Sequence, residues 1–259
     1  MVQQLFAQQA ATILKEDPNV IGLAVGGSWL SGEMDEFSDL DLILVTKHKL
    51  SDQKSKMLAY ADRLGNLLSG FTGEHVGESR VLICLYDDPL LHVDIKFLTI
   101  DELNPRIENP HILFQRDNQL QQAFDQSEAT FPYPDYQWIE DRFWTWVHYA
   151  LLKIGRGELM EAFDFLAYLR LMVFGPLLHI QNGNLPRGVR KVETSLRPMD
   201  FKALKYTIPD YDKQSILNAL KSAIALYRSL RSDLFKEGVA WNRTTEEKVM
   251  GYLDDIVKR

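Results

Sequence analysis

Residues 26–45 read Gly26-Gly27-Ser28-Trp29-Leu30-Ser31-Gly32-Glu33-Met34-Asp35-Glu36-Phe37-Ser38-Asp39-Leu40-Asp41-Leu42-Ile43-Leu44-Val45. A turn of small residues carrying a hydroxyl is followed, after ten intervening residues, by Asp-x-Asp running into an apolar stretch. A strand over 39–45 projects both carboxylates from one face. Two like charges at the entrance to a core repel each other and lose hydration. A divalent cation is the common remedy, and Mg²⁺ takes one or two carboxylates together with substrate phosphates. The pattern therefore implies a site for Mg-nucleotide.

Working outward, Val20–Val25 reads as a short apolar strand ending in Gly26-Gly27, and Leu40–Val45 as a second. In Leu91–Leu98, alternation puts Val93, Ile95 and Phe97 on one face and His92, Asp94 and Lys96 on the other. Asp94 joins Asp39 and Asp41 when these strands are neighbours in one sheet, and three carboxylates can hold two Mg²⁺ ions. Residues 2–17 carry a helical stripe through Leu5, Phe6, Ala10, Ile13 and Leu14, ended by Pro18-Asn19. Ser51 reads as the cap of a helix over 52–68, with Met57, Leu58, Ala61, Leu64, Leu67 and Leu68 facing inward. Arg80–Tyr86 is a further strand, joined to Leu91–Leu98 through Asp87-Asp88-Pro89. Thr99 caps a helical turn at 100–103, and His111–Phe114 reads as an edge strand.

The segment 128–136, with Pro132, Pro134 and Asp135, marks a boundary. Beyond it the pattern is helical: 138–154, a long apolar run over 158–180 stopped near Gly175-Pro176 or just after, a Gly/Pro/Arg loop over 181–198, then 213–236 and 244–257.

The chain has 259 residues, 46% hydrophobic and 25% charged, which is ordinary for a globular protein of one large or two smaller domains. Its net charge of −7 argues against a general nucleic-acid binder. The single cysteine, Cys84, lies in an apolar run and reads as core, which fits a reducing, cytoplasmic compartment. The first residues carry no basic segment of a secretory leader. No stretch reaches the ~18 uninterrupted apolar residues of a membrane span, so no membrane partner is expected. Walker, Rossmann, zinc and nucleophile-elbow patterns are missing from the sequence.

Over residues 20–100 the chain resembles the polymerase-β-like nucleotidyltransferase superfamily. The carriers are Gly27-Ser28, Asp39-Leu40-Asp41 and Asp94. The helical half is similar to the C-terminal bundles of aminoglycoside and lincosamide antibiotic nucleotidyltransferases, through Trp144-x-Trp146, Lys153 and Arg156-Gly157-Glu158. The resemblance implies an α/β (α+β) architecture: a mixed-sheet catalytic domain at 1–130 and an all-α bundle at 131–259 that covers nucleotide and acceptor. It implies that Gly27 and Ser28 cradle the β- and γ-phosphates. Asp39 and Asp41 would bind both Mg²⁺ ions. Asp94 would hold the one that activates the acceptor hydroxyl, and would accept its proton. The co-substrate would be ATP or another NTP and the acceptor a small hydroxylated molecule such as an aminoglycoside, in a monomer or homodimer.

Other residues carry weaker expectations. Lys153 is a candidate for the triphosphate. His92 and Lys96 share the face of Asp94. Arg187, Arg190 and Lys191 form a basic loop, and Trp144, Trp146 and Tyr149 read as core. Two alternatives stand beside the main reading. One is a protein-modifying nucleotidyltransferase of toxin–antitoxin type. The other is a HEPN-like ribonuclease, from Arg142 and His148 at Arg-x5-His spacing.

Overall fold

The computed structural model describes residues 1–235 and 238–258. The chain divides into two compact units, Met1–Phe131 and Pro132–Arg259.

The first unit is built on a six-stranded mixed sheet. Its strands are β1 (Val20–Val25), β2 (Leu40–Thr46), β3 (Asn66–Gly73), β4 (Glu78–Asp87), β5 (Leu91–Leu98) and β6 (His111–Gln115), in the order β3-β4-β5-β2-β1-β6. β2 and β5 are parallel, and all other neighbours are antiparallel. A parallel pair needs a long crossover, here supplied by α3 (Lys54–Asp62), β3 and β4. The remaining helices are α1 (Val2–Lys15), the single turn α2 (Ser28–Ser31) and α4 (Gln119–Asp125).

Strand alternation divides the two sheet faces. Ala7, Ala10 and Leu14 of α1 and Met57 and Ala61 of α3 cover Leu23, Val25, Leu40, Leu42, Leu44, Val93, Ile95 and Phe97. On the opposite face α4 brings Leu120, Ala123 and Phe124 against Ala24, Val45 and Leu98. That second face is apolar only toward the C-terminal ends of β2 and β5. At their N-terminal ends the same face presents Asp41 and Asp94.

One expected helix is shorter than its apolar spacing suggests. α3 starts after Gln53, not Ser51, and ends at Asp62. Residues 66–68, the expected end of that helix, belong instead to the edge strand β3 over 66–73, which pairs with β4. The reason is pairing over eight residues that glycines allow. Gly65 and Gly70 each cost a helix about 1 kcal/mol, and at Gly70 a side chain would press on Leu58. Cys84 is buried, and burial pushes its thiol up to about 12, so it is inert.

The second unit is helical: α5 (Tyr136–Arg156), α6 (Leu159–Leu169), α7 (Gly175–Gln181), α8 (Val192–Ser195), α9 (Pro198–Lys205), α10 (Lys213–Leu234) and α11 (Arg243–Val257). Asp135 caps α5 by accepting from the amides of Gln137 and Trp138, and Gly157 ends it in the left-handed conformation. The helix runs through Gly175-Pro176 and ends just after, at Gln181, close to the expected 158–180 span. One π-helical turn over 170–174 lets the Gly175 amide donate to the Arg170 carbonyl, five residues back, and Pro176 enters α7 with no amide to place. By length and composition Leu159–Gln181 could cross a membrane, but Leu166, Leu169, Val173, Phe174, Leu177 and Leu178 belong to the bundle core.

Candidate active site

The turn after β1 is shaped around Asp41. Gly27 takes φ +61°, and a Cβ there would collide with the Asp41 carboxylate, lying 3.0 Å from its Cγ. Only glycine supplies both the conformation and the space. The Gly26 amide donates to the Asp41 carbonyl at 2.9 Å, fixing turn to strand. Gly27→Ala is therefore expected to lower transfer kcat/KM by about 10²-fold through displacement of Asp41, measured alongside a melting curve to separate misplacement from unfolding.

The parallel register of β2 and β5 sets Asp41 directly opposite Asp94, a spacing of about 4.8 Å between backbones. Asp39 precedes β2 by one residue, on the same face as Asp41. Burial pushes the Asp94 carboxyl above its ordinary value; His92 opposes the shift through its charge and hydrogen bond, and the charge of Asp39 adds to it. Asp39 and Asp94 thus share one electrostatic neighbourhood, with Asp41 opposite Asp94 in register. Among the described residues, no group of three His, Cys, Asp or Glu side chains is set closely enough to enclose a metal ion. Mg²⁺ does not require such a cage, because it is held by one or two carboxylates with phosphate and water completing its shell. Oxygen donors that repel one another, as Asp39 and Asp94 do, suit that cation.

His92 Nε2 lies 2.9 Å from Asp94 Oδ1. Lys96 turns instead to Glu78 at 2.9 Å, which Arg80 also grips with two nitrogens. Those partners hold the Glu78 carboxyl down to about 2, the Arg80 hydrogen bonds contributing most. Ser28 opens α2 half-buried.

Two contacts come from outside the motif. Gln3 of α1, 1% exposed, donates to the carbonyls of Asp35 (2.9 Å) and Ser38 (2.8 Å), tethering the loop that delivers Asp39. Within that loop Asp35 accepts from the Phe37 amide and the Ser38 hydroxyl. Glu108, on the segment entering β6, accepts from the Gly27 amide at 2.8 Å. A cleft of about 1030 Å³ near β6, lined by Arg106, His111, Gln121 and Asp125, includes none of Asp39, Asp41 and Asp94.

Residues 7–114 match the nucleotidyltransferase domain family. That match, on the α/β fold expected from the sequence, supports a transferase enzyme whose general reaction is nucleotidyl transfer. No curated protein matches the chain. Among solved structures, it is similar to an aminoglycoside 6-adenyltransferase from Bacillus subtilis (16% identity, 98% of each chain covered, TM-score 0.38). It is also similar to a nucleotidyltransferase-like protein from Exiguobacterium sibiricum 255-15 (16% identity, 86% of this chain and 74% of that one, TM-score 0.35). A third is the spectinomycin adenyltransferase from Enterococcus faecialis, solved with ATP and spectinomycin (14% identity, 99% of each chain, TM-score 0.32).

In the helical unit, Lys153 is engaged by Glu158 (2.8 Å) and Glu161 (3.0 Å) and lies 5.0 Å from the centre of the Tyr149 ring. The two carboxylates hold its ammonium above its usual pKa, Glu158 contributing most. Trp144 is buried, whereas Trp146 is half-buried and Tyr149 exposed, so only Trp144 is a full core residue. Arg142 lies 4.3 Å over the Trp138 ring and His148 sits 5.0 Å from the Tyr252 ring.

Proposed function

We propose that the enzyme transfers AMP from ATP to a hydroxyl of a small acceptor, with release of pyrophosphate. The observation that carries this reading is the register that sets Asp94 opposite Asp41, beside a glycine turn fitted to the Asp41 carboxylate. Asp39, Asp41 and Asp94 would hold Mg²⁺. The cation, when bound, supplies charge neutralisation for the triphosphate and acidity to the attacking hydroxyl.

The chain's own residues do the rest. The Gly27-Ser28 turn receives the terminal phosphates through amide and hydroxyl donors. Asp94 would accept the proton of the attacking hydroxyl. His92, 2.9 Å away, orients the carboxylate. Lys153, held by Glu158 and Glu161 in the free protein, would serve as a cation for the triphosphate. An aminoglycoside-like antibiotic is the acceptor class we assign, and antibiotic resistance the corresponding role.

The test is a panel of hydroxylated small molecules, aminoglycosides and spectinomycin included, incubated with ATP and Mg²⁺ while pyrophosphate is read. Release that depends on an aminoglycoside-like acceptor supports the assignment. Label from α-labelled ATP appearing on a protein would move the acceptor to the protein-modifying class. No release with any acceptor, together with no ATP binding, overturns the reading.

A further inference from the structure

The Gly26–Gly27 turn holds a carboxylate of its own. The Gly27 amide donates to Glu108 Oε1 at 2.8 Å. A Cβ on Gly26 would fall 2.9 Å from the same oxygen, so the absence of a side chain there is what admits the carboxylate to the backbone. The other flank of the turn faces Asp41. The turn is therefore held between two acidic side chains, with Asp94 opposite Asp41 in the next strand.

The segment that carries Glu108 is anchored independently of it. Arg106 donates to Asn109 Oδ1, Ser127 Oγ and the Phe124 carbonyl. His111 pairs with Val25 in the sheet, and its ring stacks on Trp29 at 6.5 Å and 20°. Glu108 itself is half-buried in irregular chain between these anchors. Its side chain can swing away by rotamer change while the backbone stays in place.

We propose that Glu108 is an internal anion that occupies the phosphate position at the Gly26–Gly27 turn, and that the nucleotide's triphosphate displaces it on binding. The inference rests on the reading of residues 26–41 as the nucleotide site. One amide cannot serve a carboxylate and a phosphate equally, and a charge-assisted hydrogen bond is about twice as strong as a neutral one. The free enzyme is thus latched, and its apparent affinity is lowered by the fraction of molecules in which Glu108 occupies the turn. Glu108 is a positioning residue that sets nucleotide affinity without touching the reacting atoms.

Glu108→Gln is the decisive variant, because it keeps the acceptor and the volume while removing the charge. Calorimetric titration with ATP and Mg²⁺ is expected to show binding about tenfold tighter than in the unmodified enzyme. The gain should extend to ADP and vanish for adenosine, with kcat little changed and KM for ATP lowered. Glu108→Ala should show the same direction, with a melting curve confirming that it folds. Equal or weaker ATP binding by Glu108→Gln overturns the latch. If neither the unmodified enzyme nor Glu108→Gln binds ATP, it is the nucleotide reading that fails; if the unmodified enzyme binds and the variant shows no gain, only the latch fails.

Discussion

Asp41→Asn is expected to lower kcat/KM for nucleotidyl transfer by at least about 10³-fold, roughly 4 kcal/mol of lost transition-state stabilisation, while leaving the melting temperature unchanged or raised. Asparagine keeps the shape against which Gly27 is packed, so the turn survives. What it removes is the charge closest in register to Asp94. Asp94 is already pushed up by burial and by Asp39, and Asp41 lies opposite it in register, so loss of that second negative charge is expected to relieve repulsion in the free protein. A site that weakens the fold in order to hold a cation gains stability when it is disarmed. Activity loss with a collapsed melting transition would instead make Asp41 a structural residue. Retention of more than about a tenth of the activity would remove it from the chemistry altogether, since tenfold corresponds to only about 1.4 kcal/mol.

The parts of this site that the sequence displays are those encoded locally. β1 and β5 run over the residues that their apolar pattern predicts, and β2 extends one residue further, because period-two alternation in Leu40–Val45 and Leu91–Leu98 is a property of the strand itself. The same alternation assigned Asp41 and Asp94 to one face. The Gly27 turn is legible because a glycine before Ser28 is the residue type that a positive φ demands. Glu108 and Gln3 are not legible. Glu108 reaches Gly27 across 81 positions, and Gln3 reaches Ser38 across 35, with no periodicity linking them. A lone Glu between Pro105 and Pro110, or a lone Gln on a helix stripe, looks like solvated surface until the fold folds it inward. β3 fails for a different reason. Leu64, Leu67 and Leu68 fit a helix as well as a strand, and the preference is settled by β4, a partner that lies later in the chain.

In the helical unit the largest stability effect belongs to a residue that no motif marks. Glu140, 0% exposed, accepts from the Tyr227 hydroxyl (2.6 Å), the Arg231 guanidinium (3.1 Å) and the Asn242 amide (2.9 Å). Arg231, 5% exposed, also reaches Glu246 at 2.7 Å and lies 4.4 Å over the Trp241 ring. Burial and then the hydrogen bond to Glu140 push the Tyr227 hydroxyl well above the usual tyrosine range, so it remains a donor. Glu140→Ala takes the acceptor from three donors at once, one of them the buried Arg231 guanidinium, which keeps only Glu246. The expected cost is about 3–5 kcal/mol, measured by urea unfolding followed through the fluorescence of Trp144 and Trp241, which both lie against Arg231. Replacing the pair together, Glu140→Leu with Arg231→Met, should recover the part of that loss due to the unpaired charge, while the Tyr227 hydroxyl and the Asn242 amide still lack their acceptor. Glu246 still has Arg228 at 2.7 Å in that double variant, so no carboxylate is abandoned. If the single and double variants unfold alike, the energy lies in the packing of α5 against α10 and not in the charges, and the network contributes orientation without holding the bundle together.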